Sequence, residues 1–314
     1  MPEIATRAGD YARFQQQNIN RINTGEALDF AQGQLTSGQK SLAYSDDPNN
    51  LPEIFNIKTT EAAITQYKDN ISKVDRRLGI VEDSLNTILD TMQEFRTRLV
   101  YILQPGNKDE AFQAFCNNSL ERVAAALNVQ DSERNNVFGG TMWNGTVVDL
   151  SALPAPGLGS NPSTAYYKGD QGQNTVHMND NNNTDYTFRA DDPAIAEVFH
   201  ALKIGATTTP DYDEAGTNMQ KLRQALNTIN QATDDVPTML ARVGNLRKNM
   251  SVEVTTLTTL EDNLKVQDVT LTEVDPVEAW ILLMNLKAQL EMNVAATAQS
   301  AELTKTTLNA FMKS

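Results

Sequence analysis

The 314-residue chain is 40% hydrophobic but only 6% aromatic, and its formal charge is −14. Such a charge repels phosphate backbones and anionic lipid surfaces, so neither a nucleic acid nor a membrane is expected as partner. The single cysteine, Cys116, excludes an intrachain disulfide and a cysteine-held zinc, no apolar run reaches the length of a membrane span, and the Gln- and Asn-rich beginning has no apolar segment of a cleavable secretory signal.

The first 40 residues read as a thinly apolar helix, with Phe14, Ile19, Ile22, Leu28 and Leu35 separated by Gln and Asn, and Gly38 fits its stop. A helix so poor in apolar residues folds only against a partner. The stretch Ser45-Asp46-Asp47-Pro48 is a turn and cap between helices. Its adjacent carboxylates do not converge on one ion, so no metal is expected there. The longest pattern follows. Ile64, Tyr67, Ile71, Val74, Leu78, Val81, Leu85, Ile88, Met92, Phe95, Leu99 and Ile102 step by 3 and 4 without a break, the seam of a long helix that needs partners of similar length. Gln104-Pro105-Gly106-Asn107 breaks it, and a third helix carries the stripe Phe112, Cys116, Leu120, Val123, Leu127, with Cys116 a buried structural thiol.

Composition shifts near Asn135 to Gly, Asn, Asp, Thr and Pro. Five short runs read as strands: Asn136–Phe138, Thr146–Val148, Thr164–Tyr167, Thr175–Met178 and Tyr186–Phe188. The run Asn179–Asn183 reads as a loop, Pro193–Lys203 as a short helix and Thr207–Pro210 as a linker. The helical period then returns through Leu222, Leu226, Ile229, Thr233, Val236, Leu240, Val243, Met250, Val254, Leu257 and Leu264, with Pro237 expected to kink or split the helix. Pro276 opens a last helix whose seam runs Ala279, Leu283, Leu286, Leu290, Val294, Thr297, Ala301, Thr304, Leu308, Phe311.

The pattern predicts a mainly α protein: a long antiparallel helical coiled-coil rod formed by the N- and C-terminal halves, with a small β-rich middle domain. The divisions are 1–50 (assembly helix and turn), 51–135 and 213–270 (the two halves of the rod), 136–212 (the middle domain) and 271–314 (assembly helix). Nothing along the chain reads as chemistry. His177 and His200 are isolated, no His-x-x-x-His or Cys-x-x-Cys pair exists, and no glycine-rich phosphate loop is present. No catalytic residue, cofactor or metal is expected.

Four stretches make the chain similar to the flagellin family. Leu35-Thr36-Ser37-Gly38-Gln39-Lys40-Ser41 with Tyr44-Ser45-Asp46-Asp47-Pro48 resembles the family's turn motif. Met92–Leu99 within the long helix, Leu240-Ala241-Arg242-Val243-Gly244-Asn245-Leu246 and the C-terminal helix are the others. Two further segments, Val137-Phe138-Gly139-Gly140 and Tyr167-Lys168-Gly169-Asp170, resemble the family's hook–filament junction branch more than its filament subunits. The resemblance implies a structural, non-enzymatic axial protein of the bacterial flagellum, exported without a cleaved signal and extracellular. It implies a homo-oligomeric ring flanked by an adjacent hook-associated protein and by flagellin, with an export chaperone as a further partner. Assembly would run through Phe14, Ile19, Ile22, Leu28, Leu35, Leu290, Val294, Leu308 and Phe311. The alternatives are a flagellin proper and a non-flagellar coiled-coil interaction protein in the cytoplasm.

Overall fold

The computed structural model describes the backbone of residues 2–43, 47–209 and 216–312, and side chains from residue 12 onward apart from 304 and 307–312. It is mainly helical, with one two-stranded sheet among the described residues, and divides into two units. Met1–Ala62 and Leu260–Ser314 form the first, and Ala63–Thr259 the second. Two long helices, α2 (Leu51–Ile102) and α5 (Thr217–Thr272), contribute residues to both.

In the first unit α1 (Pro2–Ser37) packs against α6 (Pro276–Met312). Gly38 ends α1 with φ +73°, a conformation that costs a glycine little, and its N–H donates to the Gln34 carbonyl at 2.8 Å. The following residues lie against the α5–α6 junction. Lys40 N–H donates to Thr272 O at 2.7 Å, Val274 N–H donates to Gly38 O at 3.0 Å, and the Lys40 ammonium reaches the Thr270 carbonyl. Asp275 caps α6 by accepting from Val277 N–H at 2.8 Å, with Pro276 in the first turn where its missing N–H costs nothing. Gly38 beside Val274 and Thr24 beside Asn293 make the α1–α6 pair antiparallel.

The second unit holds the large core. Every member of the α2 seam from Ile64 to Ile102 is at most 6% exposed except Tyr67, whose hydroxyl reaches out to Asp180. α5 runs antiparallel to α2, as two ties show: Arg96 Nε donates to Asn230 Oδ1 at 2.8 Å, while Arg247 bridges Asp75 and Glu82 at 2.8 and 2.6 Å. The seam on α5 differs from the expected one. Ala225, Ala232 and Met239 are buried where Leu226, Thr233 and Leu240 were expected. Thr233 satisfies its hydroxyl on the Ile229 carbonyl at 2.7 Å and stays half-exposed, and the small alanines take the core positions. Pro237 does not split α5. It lies on the exposed side of the helix beside buried Val236, where water can serve the Thr233 carbonyl that loses its N–H donor.

α3 (Phe112–Leu127) buries its whole expected stripe and packs on α4 (Pro193–Thr207), which is buried on nearly every side. Phe95 stacks on Phe112 at 5.9 Å and Tyr166 meets Phe199 at 4.3 Å. Burial pushes the Cys116 thiol well above its ordinary range, which leaves it an inert packing group. The Thr207–Pro210 linker is described as far as Thr209, and Pro210 lies outside the described residues.

The middle segment has less regular β structure than its composition suggested. Its sheet is the hairpin β1 (Thr175–Asn179) with β2 (Asn182–Asp185). Asn182 and Asn183 are strand residues rather than loop, because the hairpin register needs them opposite Asn179 and His177. The runs around Asn136, Val148 and Tyr167 give isolated bridges only. Side chains supply the order instead. Arg77 on α2 pairs with Asp131 at 3.1 Å and donates to the carbonyls of Asn136 and Val137 at 2.6 and 3.2 Å. Asn128 Oδ1 accepts from the N–H groups of Val147 and Val148, and its amide donates back to the Val148 carbonyl. The two segments singled out as junction-like meet here. Asp170 N–H donates to Gly139 O at 3.1 Å, and its carboxylate accepts from Thr141 N–H and hydroxyl at 2.7 and 2.6 Å. Those bonds hold the Asp170 carboxyl below its usual range.

Gly140 sits at φ +70°, and a Cβ there would collide with the Asp170 carboxylate and carbonyl. Gly140→Ala is expected to cost about 2–3 kcal/mol, from left-handed strain plus overpacking, read as a lowered urea midpoint at unchanged slope. His200 is buried on α4 and burial lowers its pKa, so the unfolded chain binds a proton that the folded one refuses. Stability is therefore full above the ordinary histidine pKa of about 6.5 and falls as pH drops below it. Urea midpoints measured from pH 7.5 to 5 should decline, and His200→Gln should flatten that slope.

Candidate assembly surface

α6 is apolar on two opposite sides. One series, Ala279, Leu283, Leu286, Leu290, Asn293, Thr297 and Ser300, advances by 4 and 3 and is buried or half-buried toward α1. The second series begins at Val277 and runs through Ile281, Met284, Ala288, Met292 and Ala295 to Leu303, and it stays uncovered. Val277, Met292 and Leu303 are 64, 64 and 65% exposed, and Trp280 beside them 55%. At 3.6 residues per turn the two series fall on opposite flanks of one cylinder.

Among the described side chains α1 packs on the first flank, and with a poor seam. Its described inward positions include Gln17, Thr24, Leu28, Ala31 and Leu35, and among the described residues of α1 Ala31 alone is fully buried. Polar groups close part of the gap. Asn293 Nδ2 donates to the Thr24 hydroxyl at 3.1 Å, which itself donates to the Asn20 carbonyl at 2.7 Å. Gln17 Oε1 is buried with no hydrogen-bond partner among the described residues. A polar, shallow groove lined by Asn20, Asn23, Gln289 and Met292 opens over the Thr24–Asn293 contact.

The structure sorts the residues expected from sequence into two faces. Leu28, Leu35 and Leu290 lie half-buried in the α1–α6 seam. Ile19, Ile22 and Val294 are about half-exposed, and Phe14 is 36% exposed. Leu308 and Phe311 belong to α6, and their side chains lie outside the described ones. In the turn, Asp47 accepts from Asn50 N–H and side-chain amide at 3.3 and 2.8 Å, Pro48 is exposed, and Ser45 and Asp46 lie outside the described residues. Val277, Trp280, Ile281, Met284, Met292 and Leu303 were not anticipated. Their signal was a second 4-3-4 series, offset from the first and hidden because one series alone accounts for a helix. No membrane-spanning helix and no group of metal-ligating side chains occurs among the described residues.

Residues 226–310 match the family model of the bacterial flagellin C-terminal helical region. No curated protein matches the chain by sequence at a significant level. Among solved structures, one from Vibrio parahaemolyticus assigned as a flagellar hook-associated protein superposes with a TM-score of 0.58 at 16% identity, over 72% of this chain and 99% of that one. FlgL of Bacillus cereus follows at 0.53 and 18%, covering 68% of this chain and 98% of that one. FlgL of Xanthomonas campestris follows at 0.53 and 13%, covering 66% and 97%. The chain is similar to each of these in fold.

The seam and the outer flank predict different losses. Leu290→Ala should weaken the α1–α6 pair by about 1–2 kcal/mol, the cost of removing a half-buried leucine. Amide hydrogen exchange in α1 should speed up while α3 and α4 stay protected, as expected of separate cooperative units.

Proposed function

We propose, from a flagellin C-terminal helical region over residues 226–310 and a fold shared with FlgL structures, that this chain is a structural axial protein of the flagellum. Its place in this reading is the junction between hook and filament. The observation that carries self-assembly is the uncovered apolar flank of α6, from Val277 to Leu303. Contiguous exposed apolar surface of that kind marks a surface awaiting a partner. A thin, polar α1 seam suits helices that complete their folding as subunits join, so that burial on assembly offsets the ordering entropy.

In this reading residues 1–50 and 271–314 are assembly segments, 51–135 and 213–270 the halves of an antiparallel coiled-coil rod, and 136–212 the middle domain. Phe14, Ile19, Ile22, Leu28, Leu35, Leu290, Val294, Leu308 and Phe311 remain the proposed assembly residues, and the turn Ser45-Asp46-Asp47-Pro48 connects assembly helix to rod. The subunit acts outside the cell after export without a cleaved signal. Its partners are further copies of itself in a ring, a hook-associated protein on one side, flagellin on the other and an export chaperone beforehand. The resemblance of Val137–Gly140 and Tyr167–Asp170 to the junction branch, together with the fold shared with FlgL structures, supports that place over a filament subunit.

Immunogold labelling of intact flagella, with a deletion strain alongside, tests the assignment. The expected result is gold in one band where hook meets filament, and hooks without filaments after deletion. Gold along the filament would make the chain a flagellin, and label confined to the cell would overturn the flagellar assignment. Ile281→Lys with Met284→Lys should leave secretion and the folded monomer intact and remove the band.

A further inference from the structure

The middle segment carries two faces of opposite character. Alternate residues of its paired chain divide between two cavities: Asn174 and Tyr186 line one, Gln173, Asp185 and Thr187 the other. The first cavity, about 420 Å³, is floored by the Arg77–Asp131 clamp and lined by Trp143, Lys73, Arg76 and one further carboxylate, Glu133. Trp143 is 59% exposed. Neither Lys73 nor Arg76 forms an ion pair among the described residues, although Arg76 donates to the Ser72 hydroxyl at 2.9 Å. Beside the exposed tryptophan these two cations outnumber the Glu133 carboxylate, a net positive rim on a chain of charge −14.

The second cavity is acidic. Asp185, Asp191 and Asp192 line it, opposed by Arg189 and Arg242, and Asp235 and Glu197 lie close by on α5 and α4. Arg189 is taken up by Asp191 at 2.9 Å, and Arg242 lies over the Phe188 ring at 4.8 Å while 3.8 Å from Asp185. Asp192 and Glu197 have carboxyls held above their usual range, by burial first and then by neighbouring carboxylates. Glu197 Oε2 has no hydrogen-bond partner among the described residues. Carboxylates outnumber cations on this side.

We propose that copies of this chain associate side by side through the second unit, the Trp143–Lys73–Arg76 face of one copy receiving the Asp192–Asp235 face of the next. This rests on the self-assembling reading and names a contact separate from the terminal helices. Because two different faces meet, the interface is heterologous and propagates head to tail, the geometry from which a ring closes. The tryptophan supplies a buried anchor, and the charges set register and partner orientation. In an acidic subunit the cationic rim marks where a neighbour can approach against general repulsion.

Sedimentation velocity of the full chain at rising concentration, in low and high salt, tests it with three variants. Lys73→Glu with Arg76→Glu should weaken association about tenfold or more, the effect of reversing close interfacial charges. Asp235→Lys should weaken it similarly, although general repulsion alone would make this less acidic chain associate more strongly. A mixture of the two variants should associate again, and high salt should weaken the wild type. Lack of wild-type association in low salt, equal association of wild type and both variants, or a mixture no stronger than its components would each overturn the contact. The Ile281→Lys, Met284→Lys chain separates the two readings. If only that variant fails to assemble, the terminal-helix reading stands and the lateral contact falls.

Discussion

A helix with apolar residues on two opposite flanks cannot be satisfied by one partner. α6 is such a helix, and α1 is the partner the chain supplies within the first unit. At about 25 cal/mol for each Å² of apolar surface, leaving Val277, Ile281, Met284, Met292 and Leu303 in water forgoes several kcal/mol. Exposed apolar surface of that extent is characteristic of interaction sites. The polar character of α1 follows from the same constraint, since a richer seam would hold the pair closed without help. Thr24 and the Asn293 amide instead give register with little adhesion.

The second unit is built on the opposite principle. Its α2 seam is buried almost without exception, α4 is enclosed, and the irregular middle segment is fixed by Arg77, Asn128 and Asp170 rather than by strands. One arginine spanning a carboxylate and two carbonyls satisfies buried backbone groups that a sheet would otherwise serve. A densely buried unit and a thinly packed pair of terminal helices thus coexist in one chain.

Much of this was legible in the residues. The run from Ile64 to Ile102 could be read because its seam positions are large and the residues between them polar. The helix stop at Gly38 and the helix start at Pro276 were readable from chemistry alone. The α5 seam was displaced by one residue, because alanine and threonine are ambiguous in pattern and only packing shows that Ala225 and Ala232 face inward. The hairpin was misread because asparagines, poor strand formers, are carried into β2 by the register that Thr175–Asn179 imposes. Long-range contacts such as Arg77 with Asp131, or Gly140 with Asp170, leave no periodic trace. The exposed stripe on α6 was hidden by its own regularity.

Cys116 has one more consequence. A thiol enclosed by Phe95, Phe112 and α4 is closed to oxidants and to the thiols of neighbouring copies. A densely packed assembly in an oxidising medium therefore cannot become covalently cross-linked through it while the second unit stays folded. The same enclosure makes the sulfur a reporter: its rate of labelling by a thiol reagent counts the moments at which that core opens, inside an assembly as well as in the free subunit.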